Sequence, residues 1–292
     1  MKRIMLVAVV TAFSMSSASA QTMPEKQASM NYVRGLLADD GGYRATQDKK
    51  EPSNLRATSA ALRALHYLGA KDQVAPATRK FVENCFDKSS GGFANRPDGE
   101  PDVFTTAVGI MAAVIVDMPK DQFEQATVRY LTEHVQGFDD IRIAVAGLER
   151  IQQKSPRSAA WLKDIEKLRH ADGTSGMGNG VARDTGGVIV AFLRLGGKLP
   201  HPENVLKALR QGQRPDGGFG KGDEKGSDLE TSYRVMRAFY MLKQQPADPD
   251  ALRQFVARCR NADGGYGLTP GQPSNIGPTY FAAIILHWLD QK

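Results

Sequence analysis

One unit recurs along this chain, and any fold proposed for it must first accommodate that repetition. In the clearest copy, residues 213–243, Asp216-Gly217-Gly218-Phe219 makes a tight turn bearing one aromatic. Residues 220–228 form a polar loop, and residues 231–242 read as a helix with an apolar stripe. Gly41-Gly42-Tyr43 leads in the same way to 58–68, Gly91-Gly92-Phe93 to 106–116, and Gly264-Gly265-Tyr266 to 279–289. A looser copy runs from Asp172-Gly173 to 185–195, and an abbreviated one has Gly137-Phe138 followed at once by 139–151. Glycine at these turns permits positive φ, and the preceding Asp caps locally.

A second helix precedes each turn, over residues 24–38, 76–87, 122–135, 158–169, 202–211 and 248–260. The helices after the turns are more apolar and richer in Ala, Gly and Val. A helix apolar all round is buried on all sides, whereas an amphipathic one faces water. Six pairs of this kind predict an all-α (α/α)6 toroid, with the second helices as an inner ring, the first as an outer ring, and a central cavity.

The first twenty residues stand apart. Lys2 and Arg3 precede an apolar run over 4–13, and Ala18-Ser19-Ala20 gives a small-x-small cleavage site. This is the pattern of a secretory leader, too short for a permanent bilayer span. The expectation is an exported protein, secreted or periplasmic, with residues 21–292 as a single toroid domain. The chain has a formal net charge of +6 with scattered basic residues, so no nucleic-acid partner is expected. Nor is a membrane-spanning segment. Cys85 and Cys259 occupy the same place in two repeats one unit apart in a six-unit ring, beyond disulfide reach, which predicts two buried free thiols.

The inner helices all start at one mouth, where their N-terminal dipoles favour an anion. The residues just before or at these starts include Asn54, Arg56, Asp102, Asp139, Asp140, Arg142, Arg183, Asp184, Asp228, Glu230 and Asn275. Each is also what a helix wants as an N-cap or first-turn group. His66, His134, His170, His201 and His287 are dispersed, and His66 and His287 read as packed core residues.

The repeated glycine turn followed by a Thr-led Ala/Leu helix resembles the prenyltransferase and squalene-oxidase repeat. Residues 91–111 and 259–266 are similar to repeats of protein geranylgeranyltransferase β subunits. The resemblance implies the (α/α)6 toroid, an isoprenoid diphosphate in the cavity, and zinc activating a peptide thiolate. The zinc site implied is an Asp-x-Cys pair and a His. Here the pair reads Asp228-Leu229-Glu230, and no His stands in 275–279. The basic groups implied for the diphosphate are represented by Lys225, and Arg183 is a substitute for an absent His.

The expectation is therefore a toroid that binds an apolar, isoprenoid or peptide ligand. Ligand-binding candidates are Lys225, Arg183, Arg56, Asp102 and Asp140. Asp228 and Glu230 are the candidates for any catalysis. No cofactor is expected, zinc at Asp228 being the sole alternative, and the protein is expected to be a monomer without an α subunit. Two alternatives remain open: an active prenyltransferase-like enzyme with an altered site, and a carbohydrate-active (α/α)6 enzyme using Asp102 with Asp228 or Glu230.

Overall fold

The computed structural model describes residues 21–70, 74–199, 202–222 and 224–291. The leader expected over 1–20, and His201, lie outside them. Among the described residues, twelve α-helices alternate between two rings. The outer ring holds α1 (Met23–Arg34), α3 (Pro76–Asn84), α5 (Glu124–His134), α7 (Ser158–Glu166), α9 (Pro202–Gln211) and α11 (Pro249–Arg258). The inner ring holds α2 (Leu55–Leu68), α4 (Val103–Ile115), α6 (Gly137–Arg150), α8 (Val181–Arg194), α10 (Leu229–Met241) and α12 (Ile276–Asp290). Each inner helix packs against the next, and α12 returns to α2, so the ring is closed. This is the (α/α)6 toroid that the repeats require. The core fills the space between the rings, with Trp161, Phe93, Phe123, Phe219, Phe239 and Phe255 completely buried.

The glycine turns interlock the units. The first glycine of each of the four Gly-Gly turns is left-handed, and its missing Cβ leaves room for the next unit's outer helix. A Cβ on Gly41 would lie 2.3 Å from the Ala77 carbonyl oxygen, and one on Gly217 2.1 Å from that of Ala251. Gly91 meets Ala126 in the same way, and Gly264, in the last unit, meets Ala28 in the first. The second glycine lies under an aromatic ring of that helix: Gly42 under Phe81, Gly92 under Tyr130, Gly218 under Phe255, Gly265 under Tyr32.

The aromatic after each glycine pair is tied to its own inner helix. The Tyr43 N–H donates to Thr58 Oγ1 at 2.9 Å, Phe93 to Thr106 at 2.9 Å, Phe219 to Ser232 at 3.0 Å, and Tyr266 to Thr279 at 3.1 Å. The acid before the turn accepts the N–H of the second glycine, as Asp216 does from Gly218 at 3.1 Å, and clamps a loop serine, Ser227, at 2.6 Å. Turn, loop and inner helix are thus one hydrogen-bonded piece.

Two boundaries differ from the sequence expectation. The helix expected over 106–116 begins earlier, at Val103, and stops at Ile115, because Asp117 takes φ +59° and turns the chain ahead of Pro119. The helix expected from Thr185 begins at Val181, after a short 3-10 turn over Gly178–Gly180. Arg183 and Asp184 therefore lie inside its first turn. Cys85 and Cys259 are buried and unpaired, and burial pushes both thiols up to about 12.

Candidate functional site

The acids at the rim where the inner helices begin are occupied with capping. Asp102 is the N-cap of α4: it accepts the Thr105 N–H at 2.7 Å and pairs with Arg56 Nη2 at 2.7 Å. Burial works against its charge, but the Thr105 bonds and the Arg56 guanidinium hold the carboxyl below its usual range. Asp228, only 4% exposed, caps α10 and accepts both the Thr231 N–H and its hydroxyl at 2.8 Å. Glu230 pairs with Arg234 at 2.5 Å, and Arg183 with Asp184 at 3.3 Å. Asp140 accepts the Gln136 N–H at 2.9 Å, and Lys225 is exposed on the loop before α10. Arg56 and Asp102 are thus brought together.

Capping sets an expected result for Asp228→Ala. It strips the buried Thr231 N–H and hydroxyl of their acceptor and costs about 2 kcal/mol in urea unfolding. A variant as stable as the parent would rule out the capping role.

A cavity of about 340 Å³ lies further along the inner helices, and all six contribute to it. None of the seven candidate residues lines it. Its walls carry Arg63 and Tyr67 from α2, Met111 and Ile115 from α4, Arg142 and Glu149 from α6, Arg194 from α8, Tyr233 and Arg237 from α10, and Tyr280 from α12. Arg142 alone belongs to the charges noted near the helix starts. His66, expected in the core, is exposed at this cavity, because it sits in the last turn of α2.

The lumen is cationic. Among the described residues, Glu149 is the one carboxylate on its walls and is bonded to Arg194 Nε at 2.8 Å. Among them, Arg142 has an ion-pair contact with Asp139 alone, at 3.7 Å. Burial and the neighbouring guanidiniums press against both charges: Arg142 is lowered by burial and Arg234, Arg194 by burial and Arg237. Among the described residues, Arg63 and Arg237 have no carboxylate partner within ion-pair distance. Arg63 donates to the Ser59 carbonyl at 3.0 Å and lies over the Tyr280 ring at 4.2 Å. Arg237 lies over Trp288 at 4.6 Å and donates to Tyr233 Oη at 3.1 Å. Aromatic faces and neutral oxygens hold these two cations where an acid would otherwise be expected.

A signal for these residues was present in the sequence. Ser59, Arg63 and Tyr67 are spaced by four on α2, and Tyr233 and Arg237 likewise on α10. A polar stripe on a helix enclosed by protein must face the lumen.

The prenyltransferase alpha-alpha toroid domain model matches residues 3–79, 74–132 and 141–292. The chain belongs to the prenyltransferase alpha-alpha toroid family. Protein farnesyltransferase subunit beta of Pyricularia oryzae is 28% identical over 97 residues, 32% of this chain, and the match spans only 19% of that relative's length. Candida albicans protein geranylgeranyltransferase-I, in complex with GGPP, superposes with a TM-score of 0.69 at 14% identity, covering 91% of each chain. A type II terpene cyclase from Scytonema, in complex with geranylgeranyl dihydroxybenzoate as substrate, gives 0.61 at 12% identity, over 91% of this chain and 97% of that one. At these identities the two structures share the fold.

The zinc that transferases of this prenyltransferase-type toroid use does not fit the donors present. Asp228 and Glu230 are committed to Thr231 and Arg234, and among the described residues no three His, Cys, Asp or Glu side chains gather where a metal could be held. Asp102, Asp228 and Glu230, the carboxylates considered for a glycosidase pair, do not line this cavity. No helix of the described residues is long and apolar enough to cross a membrane.

Proposed function

We propose that this is an exported, monomeric binding toroid. Its lumen takes an amphiphile with an acidic head and an apolar, isoprenoid-like tail. The observation that carries this reading is the pair of lumen guanidiniums, Arg63 and Arg237, that have no carboxylate partner among the described residues. An anion on them would relieve the mutual repulsion of five wall arginines in a medium that screens charge poorly. Met111, Ile115 and Ile143 supply an apolar wall beside them for a tail. The geranylgeranyl groups held by two structural neighbours support an isoprenoid in this position. Export rests on the leader-like residues 1–20.

Calorimetry with three probes tests the reading. Geranylgeranyl diphosphate is expected to bind with a Kd of about 1 μM. Inorganic diphosphate and geranylgeraniol should each bind at least roughly tenfold more weakly, since each supplies half of the contacts. Equal affinity for diphosphate alone would reduce the site to an anion hole. Equal affinity for the alcohol would make the arginines irrelevant. No binding of any probe at millimolar concentration would end the proposal.

A further inference from the structure

Tyr233 sits where the lumen charges converge. Its Oη accepts a hydrogen bond from Arg237 Nη2 at 3.1 Å and a second from Tyr280 Oη at 3.3 Å. A guanidinium can only donate, so the phenol oxygen is necessarily the acceptor of the Arg237 contact. The ring is fixed by stacking on Phe281 at 4.9 Å and Trp288 at 5.9 Å, and Trp288 also carries Arg237. The oxygen therefore has a rigid, cationic, donor-rich seat on the cavity wall.

The charged and titratable groups around it come from every neighbouring inner helix. Arg63, His66 and Tyr67 face the cavity from α2, Arg142, Glu149 and Arg150 from α6, and Arg194 from α8. Tyr280 faces it from α12, and the His287 ring on the same helix lies tilted against Tyr67 at 5.1 Å. Glu149 is taken by Arg194. The surplus around Tyr233 is positive, and the group best placed to balance it is the phenol itself.

We propose that Tyr233 is the proton-accepting group of the lumen: it stands ionised in the empty cavity and takes up one proton when an acidic ligand settles on Arg63 and Arg237. The inference rests on the anion-binding reading above. With a ligand that enters as the acid, its O–H bond breaks, the bonding pair stays on the ligand oxygen, and the proton passes to Tyr233 Oη. The ligand anion then replaces the phenolate as counter-ion of the arginines, and the lumen's charge is unchanged. With a ligand already ionised, the proton comes from water.

The titration behaviour agrees with the geometry. Burial alone would raise the Tyr233 phenol, but the Arg237 and Arg63 guanidiniums and the two donated hydrogen bonds outweigh it and bring the group to about 7. Tyr280 moves the other way: burial and the Tyr233 charge raise it, against Arg63, so it keeps the proton it donates. The sign follows from linkage. A depressed value means that the folded chain binds fewer protons than the unfolded one above about pH 7. The contribution to stability is complete above about pH 10 and is lost as pH falls through about 7.

Two measurements on the full chain test this. The first is a pH titration of the ultraviolet tyrosinate band without ligand. One of the eight tyrosines should ionise near pH 7. That step should be absent in Tyr233→Phe and move up by at least about one pH unit in Arg237→Gln. The second is binding of inorganic sulfate, whose charge is constant in this range. Wild-type protein should lose the band and take up one proton per sulfate, with affinity falling about tenfold per pH unit above about pH 7. Tyr233→Phe should bind sulfate with no such slope. Absence of any tyrosinate below about pH 9 overturns the inference and leaves the anion site standing. Sulfate binding with no proton uptake also overturns it. A tyrosinate without sulfate binding overturns the anion-binding reading, and the proton uptake with it, while Tyr233 remains ionised.

Discussion

Gly217→Ala lowers the thermal midpoint by roughly 10 °C, the largest loss expected from adding a single methyl group to this protein. Two costs add. Gly217 has φ +88°, a left-handed conformation that costs an L-residue about 1–2 kcal/mol. The new Cβ would also stand 2.1 Å from the Ala251 carbonyl oxygen, so α11 must move. That helix carries Phe255, whose ring covers Gly218, and displacing it loosens a fully buried aromatic. Together the cost is about 4 kcal/mol. Gly69→Ala provides the control. Gly69 has φ +84° but nothing within 4 Å of its would-be Cβ, so the variant pays for the backbone alone, about 1 kcal/mol. Circular dichroism melts of the two variants separate the terms. Equal losses would show that the contact between turn and next helix contributes little.

The double variant Arg63→Gln with Arg237→Gln loses affinity for geranylgeranyl diphosphate by roughly a thousandfold, while the stability of the empty protein does not fall. Binding falls because two charge-assisted contacts to the acidic head disappear from a poorly screened lumen. Below about pH 7, where Tyr233 keeps its proton, stability holds because neither guanidinium has a carboxylate partner among the described residues, so no buried acid is stranded by their removal. Calorimetry reads the first effect and a thermal melt the second. Unchanged affinity would move the ligand out of the lumen. A collapse in stability would mean that Arg63 and Arg237 hold the ring together rather than wait for a ligand.

The fold was legible because it is written several times over. Gly41-Gly42, Gly91-Gly92, Gly217-Gly218 and Gly264-Gly265 each specify the same left-handed turn, and apolar second helices specify which ring is inside. Boundaries were less legible where the backbone departs from propensity. Nothing in the composition of α4 announces that Asp117 turns the chain ahead of Pro119. The site was harder to read for a geometric reason. Charges such as Asp102 and Asp228 stand out in sequence because they precede helices, and preceding a helix gives an acid its own work as a cap. Arg63, Arg194 and Arg237 sit inside helices, where a single charge reads as a solvated face. Only once α12 is known to close on α2 does that face become the wall of a cavity. Tyr233 gave even less warning, since a tyrosine in an aromatic-rich helix is ordinarily packing, and its partners come from two helices.

The last turn meets the first helix across almost the whole chain. Gly264 docks on Ala28, the Ser29 hydroxyl donates to the Gly264 carbonyl across 235 residues, and Gln21 donates to Tyr266 across 245. Every other seam joins neighbours in sequence and can form while the chain is still being made. This one cannot form until the final unit has appeared, so the ring passes through an open, horseshoe stage whose two raw edges are exposed together. Loop-closure entropy falls wholly on that last step, which makes it the slow one. Because α1 and α12 meet at the seam, with Lys26 3.9 Å from Asp290, linking these two helices and cutting between two other units would relocate the slow step without altering a single contact in the lumen.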